Sequence, residues 1–301
     1  VSDAIMPLPN EPRFGPAERA NAEELIDLAL DEDLGSIGDL TSDATIPSHA
    51  QGAARFAARS PGTIAGLPVV ELLAGQFPLG AWQALASDGD RVAVGTVIAR
   101  IAGPMRSLLA IERTALNFLQ RLSGIATLTA RFVAEVAGTK AVILDTRKTT
   151  PGWRVLEKYA VRCGGGQNHR TGLYDAVLIK DNHLAWLAKA GDPIGAAIKA
   201  ARENAPERTV VEVEVDSLAQ LDRALECDPD IVLVDNLGPA DLAEAVRRRD
   251  AANPRVLLEA SGGITLATVV ALARTGVDRI SVGALTHSAP ALDIGLDFES
   301  P

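Results

Sequence analysis

The second half of the chain alternates between two hydrophobic periods. Short apolar runs, rich in β-branched residues, fall at residues 142–145, 176–180, 209–215, 231–235, 255–261 and 279–283. Stretches of helical period lie between the later ones, at residues 193–204, 218–227, 239–250 and 266–275. Runs that are apolar throughout, rather than strictly alternating, read as parallel strands buried on both faces. Repeated strand–helix units of this length build a parallel sheet, and the simplest closure is an α/β barrel, here with six strands and so incomplete. An open doubly wound sheet is the alternative, but no Gly-x-Gly-x-x-Gly follows any of these runs.

The first half reads differently. Residues 1–18 are Pro-rich and aperiodic, an arm rather than an element. A helix is expected from Asn21 to about Gly35, then a turn-rich segment whose Asp39 and Thr41 suit helix caps better than ligand groups. Strand-like pieces at residues 52–58, 62–65 and 82–86 flank a helix at 69–77. Ser107 caps a strongly periodic helix over 108–122. Leu108, Ile111, Ala115, Leu119 and Leu122 form its apolar face, and Arg113, Asn117 and Gln120 form a polar stripe. A second helix follows at 125–136. These patterns predict a mixed α/β chain, with a β-rich small domain followed by an α/β barrel.

One segment invites a different reading. Asp88-Gly-Asp-Arg-Val-Ala-Val-Gly resembles half of a lipoyl- or biotinyl-type domain, which carries its cofactor on lysine. The first lysine of the chain is Lys140. A hairpin in the small domain is therefore the expectation.

Composition narrows the class. With 29 Lys+Arg against 39 Asp+Glu the net charge is -10, and 47% of residues are hydrophobic. Nucleic acid is a poor partner for such a chain. No apolar stretch reaches the roughly 18 residues of a membrane span, and no basic, then apolar, leader precedes the first helix. Two cysteines, Cys163 and Cys227, without disulfide or zinc spacing, fit a reducing, cytoplasmic setting.

Against this acidic background residues 145–180 carry seven basic side chains and three acidic ones. Arg147 and Lys148 follow one predicted strand, Lys180 ends the next, and His169-Arg170 lie between them. Ligands of α/β sheets gather at the carboxyl ends of strands, so this cluster points to a small, strongly anionic ligand; a solvated basic loop is the plainer alternative. Farther on, Ser261-Gly262-Gly263 and Gly283 follow consecutive strands. Glycines there let backbone N–H groups approach a phosphate, or simply let helix N-termini pack. In the strand at 209–215, Glu212 and Glu214 share one face, and Asp235 ends the next strand. Glu214 and Asp235 suit Mg²⁺ as hard oxygen ligands, or else pair with nearby cations. Cys163 and His169 in one loop raise a thiol–imidazole nucleophile, but a triple glycine separates them and fixes no geometry.

Several of these motifs together carry a family resemblance: Asp145-Thr-Arg-Lys-Thr-Thr-Pro-Gly, Gly164-Gly-Gly-x-Asn-His-Arg, Ile179-Lys-Asp-Asn-His183, Glu212-Val-Glu-Val and Leu258-Glu-Ala-Ser-Gly-Gly-Ile264, with Gly38-Asp-Leu-Thr-Ser42 and Glu112-Arg-Thr-Ala-Leu-Asn117 earlier. In uninterrupted order from about Ala22 to Phe298, they resemble quinolinate phosphoribosyltransferases. The resemblance implies an N-terminal α/β sandwich over 1–118, to which 289–301 returns, an incomplete and catalytic α/β barrel over 119–288, and transfer of phosphoribose from phosphoribosyl pyrophosphate to quinolinate with loss of CO₂, in NAD biosynthesis. It implies that Arg147, His169, Arg170 and Lys180, with Thr146 nearby, hold the quinolinate carboxylates. Lys148, Ser261, Gly262, Gly263 and Gly283, with His287, would bind phosphates, and Glu214 and Asp235 would reach Mg²⁺ brought by the pyrophosphate. Arg113 would come from the neighbouring subunit of a homodimer, itself free to form a higher oligomer. A same-fold relative associated with molybdate transport, with a different substrate, is the rival expectation; a barrel that binds without catalysing is the other.

Overall fold

The computed structural model describes residues 12–299, which form two compact units. The first eleven residues of the expected arm lie outside this range. Its remainder becomes helical at Pro16, because proline at the first helical position gives up no needed N–H.

One unit, among described residues, comprises 12–130, 148–165 and 284–299. Its strands are β1 (Gln51–Ala58), β2 (Gly62–Thr63), β3 (Ala81–Ala84), β4 (Arg91–Val92), β5 (Val97–Pro104) and, from the C-terminal segment, β12 (Ile294–Phe298). The main sheet runs β12-β1-β5-β3, antiparallel throughout. Helices α1 (Pro16–Leu34), α2 (Leu40–Thr45), α3 (Leu67–Gly75), α5 (Arg154–Cys163) and α11 (Ala284–His287) accompany it, with the start of α4 (Met105–Glu135). Asp39 caps α2, its carboxylate accepting the Ser42 N–H at 3.0 Å, as its sequence position suggests. The segment expected to form a hairpin does not: it holds β4 and the start of β5, but β4 pairs with β2 in a small separate sheet while β5 pairs with β1 and β3.

The two helices expected around Gly124 are one. Leu108, Ile111, Ala115, Leu119, Leu122 and Ile125 are all buried and continue a single stripe. Gly124 is there for packing rather than as a break: a Cβ would meet the Pro290 carbonyl oxygen at 2.1 Å. On the same helix Arg121 donates to the buried Glu157 carboxylate at 2.6 Å and to the Thr286 carbonyl. Arg121→Ala leaves that carboxylate without its cation. We expect it to destabilise the fold by about 3–5 kcal/mol, measured by denaturant unfolding.

The other unit, among described residues, comprises 131–147 and 166–283. It contains β6 (Val142–Leu144), β7 (Val177–Ile179), β8 (Val211–Val215), β9 (Ile231–Asp235), β10 (Leu257–Ser261) and β11 (Arg279–Ser281). Helices α6 (Asp181–Leu187), α7 (Pro193–Asn204), α8 (Leu218–Glu226), α9 (Pro239–Ala252) and α10 (Val269–Ala273) lie between strands. The sheet order is β6-β11-β10-β9-β8-β7, every neighbouring pair parallel. This is the incomplete α/β barrel. Gln167 adds to the free edge of β6, donating to the Ile143 carbonyl at 2.8 Å and accepting the Asp145 N–H at 3.1 Å. The chain that follows, His169 and Arg170, therefore starts from that edge. Buried Val211, Val213, Val215 and Ile231–Val234 fill the middle strands, as parallel strands covered on both faces require.

Candidate active site

In the barrel unit, the sequence-predicted site residues are brought to one end of the sheet. Asp145-Thr146-Arg147 follow β6, Lys180 follows β7, Glu214 lies one residue from the end of β8, and Asp235 ends β9. Ser261 ends β10 ahead of Gly262-Gly263, and Gly283 lies just beyond β11. These are the carboxyl ends of all six strands, where α/β barrels place ligands. The strand ends are also tied to one another. Val282 N–H donates to the Leu144 carbonyl at 2.9 Å, and Asn236 N–H to the Ser261 carbonyl at 2.9 Å.

That last contact explains one glycine. A Cβ on Gly262 would lie 2.2 Å from the Asn236 amide oxygen, and its φ of +96° is in the left-handed region. The Gly262-Gly263 turn thus packs directly on the Asp235-Asn236 turn, with Asn236 itself at φ +58° and its amide donating to Asp235 at 2.6 Å. A glycine-lined backbone and an acid meet at neighbouring strand ends.

The cations are held with equal specificity. Asp145, fully buried, accepts the His169 N–H at 2.9 Å and the Asn168 side-chain amide at 2.6 Å. This fixes the loop that carries Arg170. Burial, followed by repulsion from Arg147, lowers the Arg170 pKa below its ordinary value. Two guanidiniums close enough to oppose each other mark a place built for negative charge. Lys180 pairs with Glu214, and its backbone N–H donates to His183 Nδ1 at 2.8 Å. So the ion-pair alternative for Glu214 describes the empty protein. A carboxylate that competes for Lys180 would free Glu214 for a cation.

His169 is the centre of a buried group that sequence reasoning saw only in part. Its Nε2 lies 3.2 Å from Glu212 and 3.3 Å from Glu259, and Arg279 Nε donates to Glu259 at 2.7 Å. Glu212 and Glu259 are buried. Burial alone would lower the His169 pKa, but hydrogen bonds to and charges on the two glutamates outweigh it and push it up to about 10. Against that, His169 Nδ1 accepts the Arg170 N–H at 2.8 Å, which opposes a second ring proton. The directional backbone contact decides which nitrogen carries the proton: in either charge state Nε2 is protonated and faces the glutamates. Burial, then the Glu259 charge, raises the Glu212 pKa. Burial also opposes ionisation of Glu259, yet His169 and Arg279 bring it down to about 2. Imidazole and carboxylate atoms within 4.8 Å of one another resemble a metal site. Arg279 already supplies the positive charge that one carboxylate needs, so the group is coherent without a metal.

The remaining predicted residues belong to the other unit. Lys148 is exposed, and its carbonyl accepts the Thr286 hydroxyl at 2.8 Å, one residue before exposed His287. Glu157, held by Arg121, accepts the Thr150 N–H at 3.1 Å and hydroxyl at 2.9 Å, and Arg154 donates to the Thr149 hydroxyl at 3.0 Å. The turn after Lys148 is thereby fixed. Arg113 and Asn117 are exposed on α4. Burial pushes the Cys163 thiol pKa well up, which removes it as a nucleophile. Arg279, Arg121 and Thr286 were not singled out from the sequence. The signal for Arg279 was a lone charge at the start of a short apolar strand.

Comparison with known proteins agrees with this architecture. The family described as quinolinate phosphoribosyl transferase, C-terminal domain, matches residues 125–297, and its N-terminal domain matches residues 39–123. The chain belongs to the quinolinate phosphoribosyltransferase family. It is 47% identical over 280 residues to the nicotinate-nucleotide pyrophosphorylase (carboxylating) of Mycobacterium leprae, covering 92% of this chain and 97% of that protein. A probable nicotinate-nucleotide pyrophosphorylase (carboxylating) of Bacillus subtilis is 44% identical over 267 residues, covering 88% and 89% respectively. The solved nicotinate-nucleotide pyrophosphorylase of Francisella tularensis superimposes with a TM-score of 0.85 at 37% identity, over 97% of this chain and 98% of that one. Among the described residues no helix is long and apolar enough to cross a membrane.

Proposed function

We infer that this chain transfers the phosphoribosyl group of phosphoribosyl pyrophosphate to quinolinate, with decarboxylation, giving nicotinate mononucleotide, pyrophosphate and CO₂. The observation that carries this reading within the family is that Arg147, Lys180, Glu214 and Asp235 share the carboxyl ends of the strands with the Gly262-Gly263 turn, with Arg170 in the loop fixed by Asp145. Quinolinate is a dianion, and binding it relieves the repulsion between the guanidiniums while adding bidentate hydrogen bonds. Arg147, Arg170 and Lys180 hold the two carboxylates, with Thr146 beside them. His169, expected among these ligands, has Nε2 against Glu212 and Glu259 and Nδ1 on the Arg170 N–H, and so supports Arg170 instead. The backbone N–H groups of Ser261, Gly262, Gly263 and Gly283 receive phosphate, and the family resemblance assigns Lys148 and His287 to the phosphates as well.

The chemistry asks the protein chiefly to orient and to stabilise charge. Loss of pyrophosphate leaves oxocarbenium character on the ribose, and cations at the phosphates stabilise the leaving charge. Attack by the ring nitrogen makes a pyridinium, which stabilises the carbanion left when the adjacent carboxylate departs as CO₂. Orientation of the bound dianion decides which carboxylate leaves. The acidic positions fit Mg²⁺ bound to phosphoribosyl pyrophosphate as part of the substrate. Glu214 and Asp235 offer hard oxygens at neighbouring strand ends, next to a glycine turn suited to phosphate. Glu214→Gln and Asp235→Asn are each expected to raise the Mg²⁺ concentration needed for half-maximal rate about tenfold, or ~1.4 kcal/mol. Titrating rate against Mg²⁺ checks this, and unchanged curves for both variants would make these acids ion-pair partners only.

The reading includes a homodimer whose sites each take Arg113 from the other subunit, and a cytoplasmic setting supported by two free cysteines. Exposed Arg113 on α4, and Tyr174 and Trp186 at 84% and 87% exposure in the segments around Arg170 and Lys180, support a covering partner. The deciding experiment is CO₂ release from carboxyl-labelled quinolinate with phosphoribosyl pyrophosphate and Mg²⁺. Release that requires both substrates is expected. Its absence in folded protein would end this reading.

A further inference from the structure

We propose that Glu259 and Arg279 are positioning residues for the quinolinate pocket, acting through the His169 ring to hold Arg170 in place. The inference rests on the functional reading above and concerns groups that need never touch substrate.

The geometry is a chain of directional contacts. Arg279 on β11 donates to Glu259 on β10 at 2.7 Å, and Glu259, fully buried, lies 3.3 Å from His169 Nε2. Glu212 on β8 approaches the same nitrogen at 3.2 Å. On the far side of the ring, Nδ1 accepts the Arg170 N–H at 2.8 Å. One rigid imidazole therefore links a buried carboxylate pair to the peptide that carries Arg170. Asp145 holds the preceding peptide by the His169 N–H at 2.9 Å. The backbone is thus pinned on both sides of the His169 side chain, and Arg170 has its guanidinium steadied by the Ala176 carbonyl at 3.3 Å.

The arrangement explains why charged residues sit inside the barrel. Buried carboxylates are costly unless paired, and a hydrophobic layer would stabilise the fold as well. What a hydrophobic layer cannot do is orient an imidazole. With Nε2 facing Glu212 and Glu259 and Nδ1 on the Arg170 N–H, both ring nitrogens of His169 are engaged by the protein, and the ring serves as an anchor. Arg279 in turn fixes Glu259, since one carboxylate oxygen engages the guanidinium while the other faces the ring.

The test compares wild type, Glu259→Gln and Arg279→Lys by steady-state kinetics with both substrates varied, and by ¹⁵N spectra of the imidazoles, of which the chain has four. The proposal expects Glu259→Gln to raise the KM for quinolinate toward 10²-fold, as small misplacement of a binding group does, while the KM for phosphoribosyl pyrophosphate changes less than about twofold. Arg279→Lys, which keeps the charge, should fall between that variant and wild type. The His169 ring signals should shift in both variants. A purely structural role would lower thermal stability and move both KM values together; that result, or an unchanged quinolinate KM, overturns the proposal. Should Glu259→Gln fail to fold, Arg279→Lys decides by the same split. A folded wild type that releases no CO₂ would instead sink the functional reading, so the two failures are distinguishable.

Discussion

Arg170→Ala should lower kcat/KM for quinolinate by about two to three orders of magnitude and leave the KM for phosphoribosyl pyrophosphate nearly unchanged. Burial, and then Arg147, hold the Arg170 pKa below its ordinary value against the opposite pull of Glu212 and Asp175, so an added carboxylate beside Arg170 is favoured. Truncating one guanidinium removes charge-assisted hydrogen bonds to a carboxylate and leaves that carboxylate poorly desolvated, a loss of about 2–5 kcal/mol. The thermal stabilisation that quinolinate gives wild type, about 2.7 kcal/mol at a hundred times its dissociation constant, should largely vanish as well. Steady-state rates with each substrate varied, together with melting curves at fixed quinolinate, check both halves. Equal losses for the two substrates would remove Arg170 from the quinolinate pocket.

How much of this was readable from sequence depends on which physical signal each residue carries. The strands β8 and β9 announced themselves because apolar runs bounded by turns have few other uses, and β9 spans the residues expected of it, Ile231–Asp235. The strand-end positions of Arg147, Lys180, Asp235 and Ser261 followed from that alone. The helix division at Gly124 was misjudged because sequence pattern treats glycine as punctuation. Here it is a close approach to Pro290, a tertiary fact with no local trace. From the sequence Glu212 is only one of two acids that share a strand face, with no partner assigned. The actual partner set, His169 and Glu259, comes from a loop and a strand distant in the chain. Arg279 carried almost no signal, since one charge at the start of a strand usually faces water. The pairing of Lys180 with Glu214 is the ion-pair reading of that acid, and the Mg²⁺ titration of Glu214→Gln tests the other.

Arg113→Ala and Lys148→Ala are each expected to be nearly inactive alone, and to regain activity when mixed. Arg113 lies on α4, exposed beside Asn117, on a helix whose opposite face is buried core. Of that stripe Gln120 donates to the Ile294 carbonyl at 2.7 Å within its own unit, whereas Arg113 and Asn117 are exposed, and the family resemblance assigns Arg113 to a neighbouring subunit's site. Lys148 follows Arg147 and sits on a turn fixed by Thr286 and Glu157, so its loss removes charge without loosening the turn. If each site takes Arg113 from one chain and Lys148 from the other, co-refolding yields mixed dimers in which one site has both defects and the other has none. With random pairing about half the dimers are mixed, so about a quarter of all sites recover wild-type composition. Activity near a quarter of wild type is therefore the expected result, with mass spectrometry confirming that mixed dimers formed. Activity that stays at the parental level in confirmed mixed dimers would place Arg113 within its own subunit, and the shared site would have to be abandoned.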